Sequence, residues 1–373
     1  MKKIVFIIDN LKGGGAEKAI KIIVEGLEEK GFNPTIVLLE NRRDYSLSNN
    51  ADLYCLTNKI TIYNSILIYF KLVKLLKSLS PNIIYATNTK SQIFTLITKP
   101  LYKKAKRVIN IQVDLTKQYE SRRYIFNIFN ELLTYADAYS FISKGIYENL
   151  KGKIPAKENI FIPNPIDFEE IDKLKLIPIE KKYSHIFEKK VFITIGRLTE
   201  QKGQWNLLEA FSKINQDYNL IIVGAGEKEK ELKELSKKYN IEDRVYFLGF
   251  QINPFQFLYN ADVFVLSSLW EGFGNVIVEA MRCELPIIST DCPSGPREIL
   301  SPNSNINFRL KNDVEISNYG ILTPVNETIV LSKAMEDLMG NREDKERYSS
   351  LSMQRANDYS KNKVINKFER KLL

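Results

Sequence analysis

Two cations five residues apart, Arg197 and Lys202, occupy the segment Gly196-Arg197-Leu198-Thr199-Glu200-Gln201-Lys202-Gly203, directly after the apolar run Val191–Ile195. Bracketed by glycines, they can neutralise a diphosphate as it becomes a leaving group, which is the stabilisation such a departure needs without a metal. Two exposed loop charges are the plainer alternative. A second group is Glu271-Gly272-Phe273-Gly274-Asn275-Val276-Ile277-Val278-Glu279. A helix starting near Gly274 would aim its first amides at an anion. Glu279 then falls on the face of Asn275 and Val276, its side chain leaning toward the helix start. A carboxylate there can accept from ribose hydroxyls while the amides hold phosphate, and Glu271, ahead of the helix, can meet a sugar hydroxyl. Isolated glutamates are ordinarily solvated. One set among Val276, Ile277, Val278, Ala280 and Met281 is partly buried and needs a partner.

Two glycine clusters complete the set. Gly13-Gly14-Gly15-Ala16-Glu17 follows the apolar run Lys3–Ile8 and lets backbone approach a ligand ahead of a helix. It is not G-x-G-x-x-G, so a dinucleotide site is a poor reading, and a tight strand-to-helix turn explains it equally well. Gly224-Ala225-Gly226-Glu227 reads mainly as a structural turn, with backbone contacts to a ligand as the lesser alternative.

The elements that must position these residues alternate along the chain. Strands are expected at Lys3–Ile8, Thr35–Leu39, Asn82–Ala86, Arg107–Val113 and Ala138–Ile142, with helices at Ala16–Lys30, Ile62–Leu79 and near Ile125–Thr134. The stretch Phe161-Ile162-Pro163-Asn164-Pro165-Ile166-Asp167, with the Lys/Glu-rich segment to Lys190, reads as an interdomain linker holding a solvated His185. A second series follows, with strands at Val191–Ile195, Leu220–Val223, Val245–Leu248, Asp262–Leu266 and Pro286–Ser289. Helices close the chain, at Asn326–Leu338 and over most of Arg342–Leu373. The βαβα order implies an α/β fold of two Rossmann-like, doubly wound domains facing across a cleft. The domains are placed at 1–170 and 171–356, with a final helix at about 357–373.

Composition narrows the function classes. The 373 residues are 44% hydrophobic and 27% charged, which excludes disordered and collagen-like chains. The apolar start ends at Asp9, too short for a signal peptide, and no run is long enough to span a bilayer. Three cysteines without a C-x-x-C pair favour a reduced cytosol. One histidine argues against a His-ligated metal or a Ser-His-Asp triad, and no D-x-D offers carboxylates to Mg²⁺. The net charge of +9 is lopsided: residues 1–170 hold 25 basic and 17 acidic side chains, and residues 51–130 hold 13 and 3. A basic half suits an anionic partner, although a Lys-rich solvated surface explains the charge as well.

Taken together, Gly13–Glu17, Gly196-Arg197 with Lys202-Gly203, Val223–Gly226 and the Glu271…Glu279 pair resemble glycosyltransferase family 4, retaining enzymes of the GT-B fold. Asp291-Cys292-Pro293-Ser294-Gly295-Pro296-Arg297-Glu298 is similar to members that move hexoses or N-acetylhexosamines in bacterial surface-glycan and lipid-linked oligosaccharide assembly. The resemblance implies that Arg197 and Lys202 hold the diphosphate of a nucleotide-sugar, by family frequency a UDP-sugar. Glu279 would bind the ribose and Glu271 a hydroxyl of the donor sugar. Backbone around Phe273, Gly274, Asn275 and Val276 would contact sugar and phosphate, with Gly14 and Gly15 approaching from the other domain. The catalytic group would be Arg197, Lys202 and Glu271, with no metal or cofactor. The last helix would cross back onto the first domain. Many members carry a histidine after the strand matching Arg107–Val113. Here the sequence is Asn110-Ile111-Gln112-Val113-Asp114, leaving Gln112 or Asp114 as substitutes.

Ile62–Leu79 interleaves Tyr63, Ile66, Tyr69, Phe70 and Leu72 with Lys71, Lys74 and Lys77. Beside the lipid-linked acceptors common in the resembled family, this leads to an expected peripheral attachment to the cytoplasmic face of an anionic inner membrane. An ordinary amphipathic helix is the alternative. Two further readings stay open: a sugar-nucleotide 2-epimerase of the same fold, and a transferase with a soluble acceptor. Nucleic-acid binding, prompted by the high pI, has no supporting motif.

Overall fold

The computed structural model describes residues 2–43 and 52–373. The chain forms two compact units, Met1–Ile166 with Lys361–Leu373, and Asp167–Ser360. The first holds β1 (Ile4–Ile8), β2 (Thr35–Glu40), β3 (Asp52–Thr57), β4 (Ile83–Ala86), β5 (Lys106–Ile111), β6 (Ala138–Phe141) and β7 (Glu158–Phe161). They pair in parallel in the order β3-β2-β1-β4-β5-β6-β7. The second unit holds β8 (Lys190–Ile195), β9 (Tyr218–Val223), β10 (Val245–Gly249), β11 (Val263–Leu266), β12 (Ile287–Thr290), β13 (Glu315–Ser317) and β14 (Gly320–Thr323). Its order is β10-β9-β8-β11-β12-β14-β13, parallel except for the β13–β14 pair.

Continuous apolar strands such as Ile-Val-Phe-Ile-Ile in β1 are buried on both faces, as a parallel sheet covered by helices requires. Among the parallel strands of each sheet the order reverses at one place, β1 beside β4 and β8 beside β11. The crevice outside the carboxyl ends at such a reversal is where open α/β sheets accept ligands.

The structure corrects several expectations. The supposed linker is largely built structure: Glu158–Phe161 is a strand, and the helix Phe168–Lys175 and the 3₁₀ helix Lys181–Glu188 belong to the second unit. Ile171 and Ile186 are buried there, and Asp172 binds Arg282. The unit break falls at Ile166/Asp167, where two prolines give way to a helix capped by Asp167, whose side chain accepts from the Glu170 amide. His185 is exposed, its ring edge against Tyr246. The helix expected from Ile62 begins at Ser65. Strands β3, β7, β13 and β14 were not anticipated.

Candidate functional site

In the second unit the site is assembled from loops that pack backbone against backbone. The loop after β8 carries Gly196–Gly203, and the loop after β11 carries Ser267–Gly274. Leu269 N donates to Gln201 O at 2.8 Å, Ser267 Oγ to Lys202 O at 3.0 Å, and Gln201 Nε2 to Trp270 O at 2.9 Å. Gly203, at φ +57°, leaves no room for a side chain, since a Cβ would lie 2.5 Å from Ser267 O. Gly224 and Gly226 buttress the first loop in the same way. Their Cβ atoms would fall 1.9 Å from Gly196 O and 2.3 Å from Leu198 O. That close approach is the structural role expected for this glycine turn.

This scaffold brings Lys202 and Glu271 together, Nζ to Oε1 at 2.5 Å, with Ser268 Oγ donating to the same oxygen at 2.7 Å. Both side chains of the ion pair are largely buried, 14% exposed for Lys202 and 7% for Glu271. Gly196 faces the Lys202 stem, 3.2 Å from where its Cβ would be. Arg197 stands exposed at the same strand end, while its carbonyl accepts from Gln204 Nε2 at 3.0 Å. The site thus holds one cation in solvent, one paired with a carboxylate, and polar hydrogens directed at that carboxylate.

Next to it Gly274, at φ +93°, turns the chain into the helix Asn275–Arg282. The expected start near Gly274 is where the helix begins, so its partial positive end lies at Asn275 and Val276. Glu279, half-buried, follows one turn later on the same face. Phe273 is buried with its ring edge against Tyr359, centroids 5.1 Å apart. Arg355 binds the Tyr359 hydroxyl at 2.6 Å and the carbonyls of Glu298 and Ile299 at 2.6 and 2.9 Å. Sequence reasoning missed Ser268, Tyr359 and Arg355. Ser268 sits three residues from Glu271 as an unremarkable serine, and the other two come from the helix Arg342–Ala356 and the 3₁₀ turn after it, distant in sequence and with no local signal.

The Asp291–Glu298 segment is a structural clasp. Arg297 binds Asp291 through Nε and Nη2 at 2.8 and 2.7 Å, and Glu315 through Nη1 at 2.8 Å. Burial opposes the Arg297 charge, but hydrogen bonds to Asp291 and Glu315 outweigh it and raise its pKa. Burial also opposes the Glu315 charge, and bonds from Ser301 and Arg297 more than offset it, holding the carboxyl below its ordinary range. Asp291 Oδ2 also accepts from Leu310 N at 2.8 Å. The clasp fixes Pro293 and Gly295 against the Glu271–Phe273 loop: Glu271 N donates to Pro293 O at 3.1 Å, and a Cβ on Gly295 would lie 1.9 Å from Phe273 O. Burial raises the Cys292 thiol and pushes Cys283 up to about 12, so both are inert packing groups.

Gly14 and Gly15 lie in the first unit, at the carboxyl end of β1. Gly14 is the extended N-cap of the helix Gly15–Glu29, and a Cβ there would meet Glu17 Oε2 at 2.1 Å. Glu17 accepts from Asn88 Nδ2 at 2.6 Å, and Asp9 Oδ1 from Ser91 N at 2.7 Å, so the ends of β1 and β4 are tied by polar side chains. Gln112 and Asp114, the substitutes considered for a missing histidine, are both engaged elsewhere. Gln112 exchanges amide bonds with Asn164 at 3.3 and 3.2 Å. Asp114 caps a short helix, accepting from Thr116 N at 2.9 Å, and also accepts from Asn149 Nδ2 at 3.1 Å.

Residues 178–354 match the family described as glycosyl transferases group 1, and residues 16–136 match glycosyl transferase 4-like. An uncharacterized glycosyltransferase of Methanocaldococcus jannaschii, MJ1059, is 36% identical over 267 residues, covering 66% of this chain and 64% of that protein. The chain thus spans under two thirds of that relative's length. The N-acetylgalactosamine-N,N'-diacetylbacillosaminyl-diphospho-undecaprenol 4-alpha-N-acetylgalactosaminyltransferase of Campylobacter jejuni is 25% identical over 377 residues, covering 98% and 97% of the two chains. The crystal structure of Anabaena HepE in complex with UDP superposes with a TM-score of 0.80 at 20% identity, each chain 99% covered. The likeness is one of fold, and the fold is GT-B. With one glycosyltransferase domain in each unit, the chain belongs to the group 1, family 4-like glycosyltransferases.

Proposed function

We propose that the protein is a retaining, metal-independent transferase moving a hexose or N-acetylhexosamine from a UDP-sugar to a polyprenyl-diphosphate-linked glycan in surface-glycan assembly. The second unit would bind the donor and the first the acceptor. The observation that carries the reading is the Lys202–Glu271 pair beside exposed Arg197, at the carboxyl ends of β8 and β11. A nucleotide-sugar offers phosphate oxygens to the two cations and a sugar hydroxyl to the carboxylate. Charge that develops on the departing diphosphate is met by Arg197, Lys202 and the start of the helix Asn275–Arg282. Glu279 lies where it can accept from ribose. The departing diphosphate would itself take the acceptor proton on the same face, which is how configuration is retained. The Campylobacter relative is named for an undecaprenyl-diphosphate acceptor, which supports a lipid-linked one here. No described helix is long and apolar enough to cross a membrane, and attachment would be peripheral, on the cytoplasmic face of the inner membrane.

A thermal-shift panel of UDP, GDP and ADP on wild type and Glu279→Ala tests the donor. A ligand at ~100 times its Kd adds about 2.7 kcal/mol to the folded state. Stabilisation by UDP that disappears in Glu279→Ala is expected. Stabilisation by GDP or ADP instead would replace the donor base, and silence toward all three would overturn the site. Anomeric configuration of the product, read by NMR, tests retention.

A further inference from the structure

The helix Ser65–Leu79 and the turn that leads into it carry two apolar stripes, and only one faces the core. Ile68, Leu72, Val73, Leu76 and Leu79 are buried. Ile62, Tyr63, Ile66, Leu67 and Phe70 are 90, 97, 71, 56 and 57% exposed. Tyr63, Ile66, Leu67 and Phe70 follow the i, i+3, i+4, i+7 spacing of a helical face. Beyond Phe70 the exposed positions become Lys71, Lys74 and Lys77. One outward face therefore changes from apolar to cationic along its length. Scattered exposed apolar residues are normal, but five within nine positions form a patch that requires a partner.

The tip is also pre-organised. Asn64 Oδ1 accepts from Thr61 N at 2.8 Å, Asn64 Nδ2 donates to Lys59 O at 2.8 Å, and Ser65 Oγ donates to Thr61 O at 2.7 Å. The turn satisfies part of its own backbone, which lowers the desolvation and ordering cost of entering an apolar phase. Along the sequence the charge is one-sided: from Asp52 to Asp114 no Asp or Glu intervenes, while ten Lys and Arg do, of which Lys99 pairs with Asp137, Lys106 pairs with Glu158 and Arg107 is buried. A helix with an apolar tip and a lysine-bearing far end in a purely cationic segment complements an anionic lipid surface better than a protein partner.

We propose that Ile62–Phe70 is a wedge that enters the acyl boundary of an anionic membrane, with Lys74 and Lys77 holding the headgroups. The inference rests on the peripheral attachment proposed above and adds insertion of a defined apolar segment. The wedge sets a salt-resistant part of binding and the lysines a salt-sensitive part.

The test uses the full chain and sedimentation with vesicles of phosphatidylcholine, alone or mixed with phosphatidylglycerol, at low and high salt. Wild type should bind the mixed vesicles and keep a measurable fraction at about 1 M salt, where the Debye length is about 3 Å. Tyr63→Asp with Ile66→Asp should lose that fraction, at least about tenfold in partitioning. Lys74→Gln with Lys77→Gln should lose only the low-salt gain from anionic lipid. These positions are exposed, so melting temperatures should hold. In Tyr63→Trp the added fluorescence, over that of Trp205 and Trp270, should shift to the blue on binding and be quenched by brominated acyl chains. Mixed vesicles bound equally by the double aspartate variant would overturn the wedge and leave attachment standing. Wild type indifferent to every vesicle would overturn both. A dimer in solution that Tyr63→Asp dissolves would make the face a self-interface and overturn the proposal.

Discussion

Lys202 gives the clearest energetic handle at the scale of single residues. Replacing it by Met keeps much of the stem against Gly196 but leaves the buried Glu271 carboxylate with Ser268 alone. A charged group stripped of a hydrogen-bonding partner costs about 1.5–3 kcal/mol. Lys202→Met should lose about that much stability, while the double variant Lys202→Met/Glu271→Leu should lose clearly less than the sum of the single changes, since neither charge is then stranded. Denaturant unfolding of the four proteins measures this. Additive losses would mean that the pair is not coupled. UDP affinity should fall in all three variants. That Lys202 and Glu271 could meet was legible as residue types at a spacing, because each lies on a short loop just after a strand. Ser268, Tyr359 and Arg355 were not, because their roles come from tertiary neighbours. The helix-capping role of Asp114 was not legible for a related reason: the same carboxylate that could meet a hydroxyl also caps a helix.

At the scale of elements, Gly295 and Gly31 share a backbone angle, φ +82°, and differ in surroundings. A Cβ on Gly295 would lie 1.9 Å from Phe273 O, whereas a Cβ on Gly31 meets nothing within 4 Å. Gly31→Ala should therefore cost only the left-handed strain of about 1–2 kcal/mol. Gly295→Ala adds a backbone collision that moves the loop bearing Glu271 and Phe273. It should lose more stability and also UDP binding, which Gly31→Ala keeps. Thermal melts with and without UDP compare them. Equal losses in stability, with binding intact in both, would show that the two loops are not rigidly joined. The interior strands of both sheets were legible because burial on both faces writes them as unbroken apolar runs. β3, β7 and β13 were missed because they are edge strands. Their exposed positions break the apolar run: in Asp52–Thr57 only Leu56 is buried, Asp52, Tyr54 and Cys55 being exposed and Leu53 and Thr57 partly so. β14 is buried, but it has four residues and opens on glycine.

At the scale of the whole molecule, the chain crosses between its units twice, and the second crossing returns the helix Lys361–Leu372 to the first unit. That helix supplies Val364, Ile365, Phe368 and Leu372 to the core around β1 and β4. Phe368 lies 5.9 Å from Phe6 and 5.3 Å from Tyr85, and a Cβ on Gly26 would stand 2.5 Å from Ile365. The last residues are thus a core element of the first unit. Phe368→Ala removes a fully buried ring and should destabilise that unit by about 3–5 kcal/mol. The second unit is continuous in sequence from Asp167 to Ser360 and has its own core, so it should be spared. Hydrogen exchange resolves the two, because protection follows local opening as well as global unfolding. Amides of Ile4–Ile8 and Ile83–Ala86 should exchange faster in Phe368→Ala, while those of Val191–Ile195 and Val263–Leu266 keep wild-type protection, and UDP should still slow exchange in the Glu271–Glu279 segment. Equal acceleration in both sheets would mean that the units unfold as one, and that the proposed donor site depends for its stability on the end of the chain.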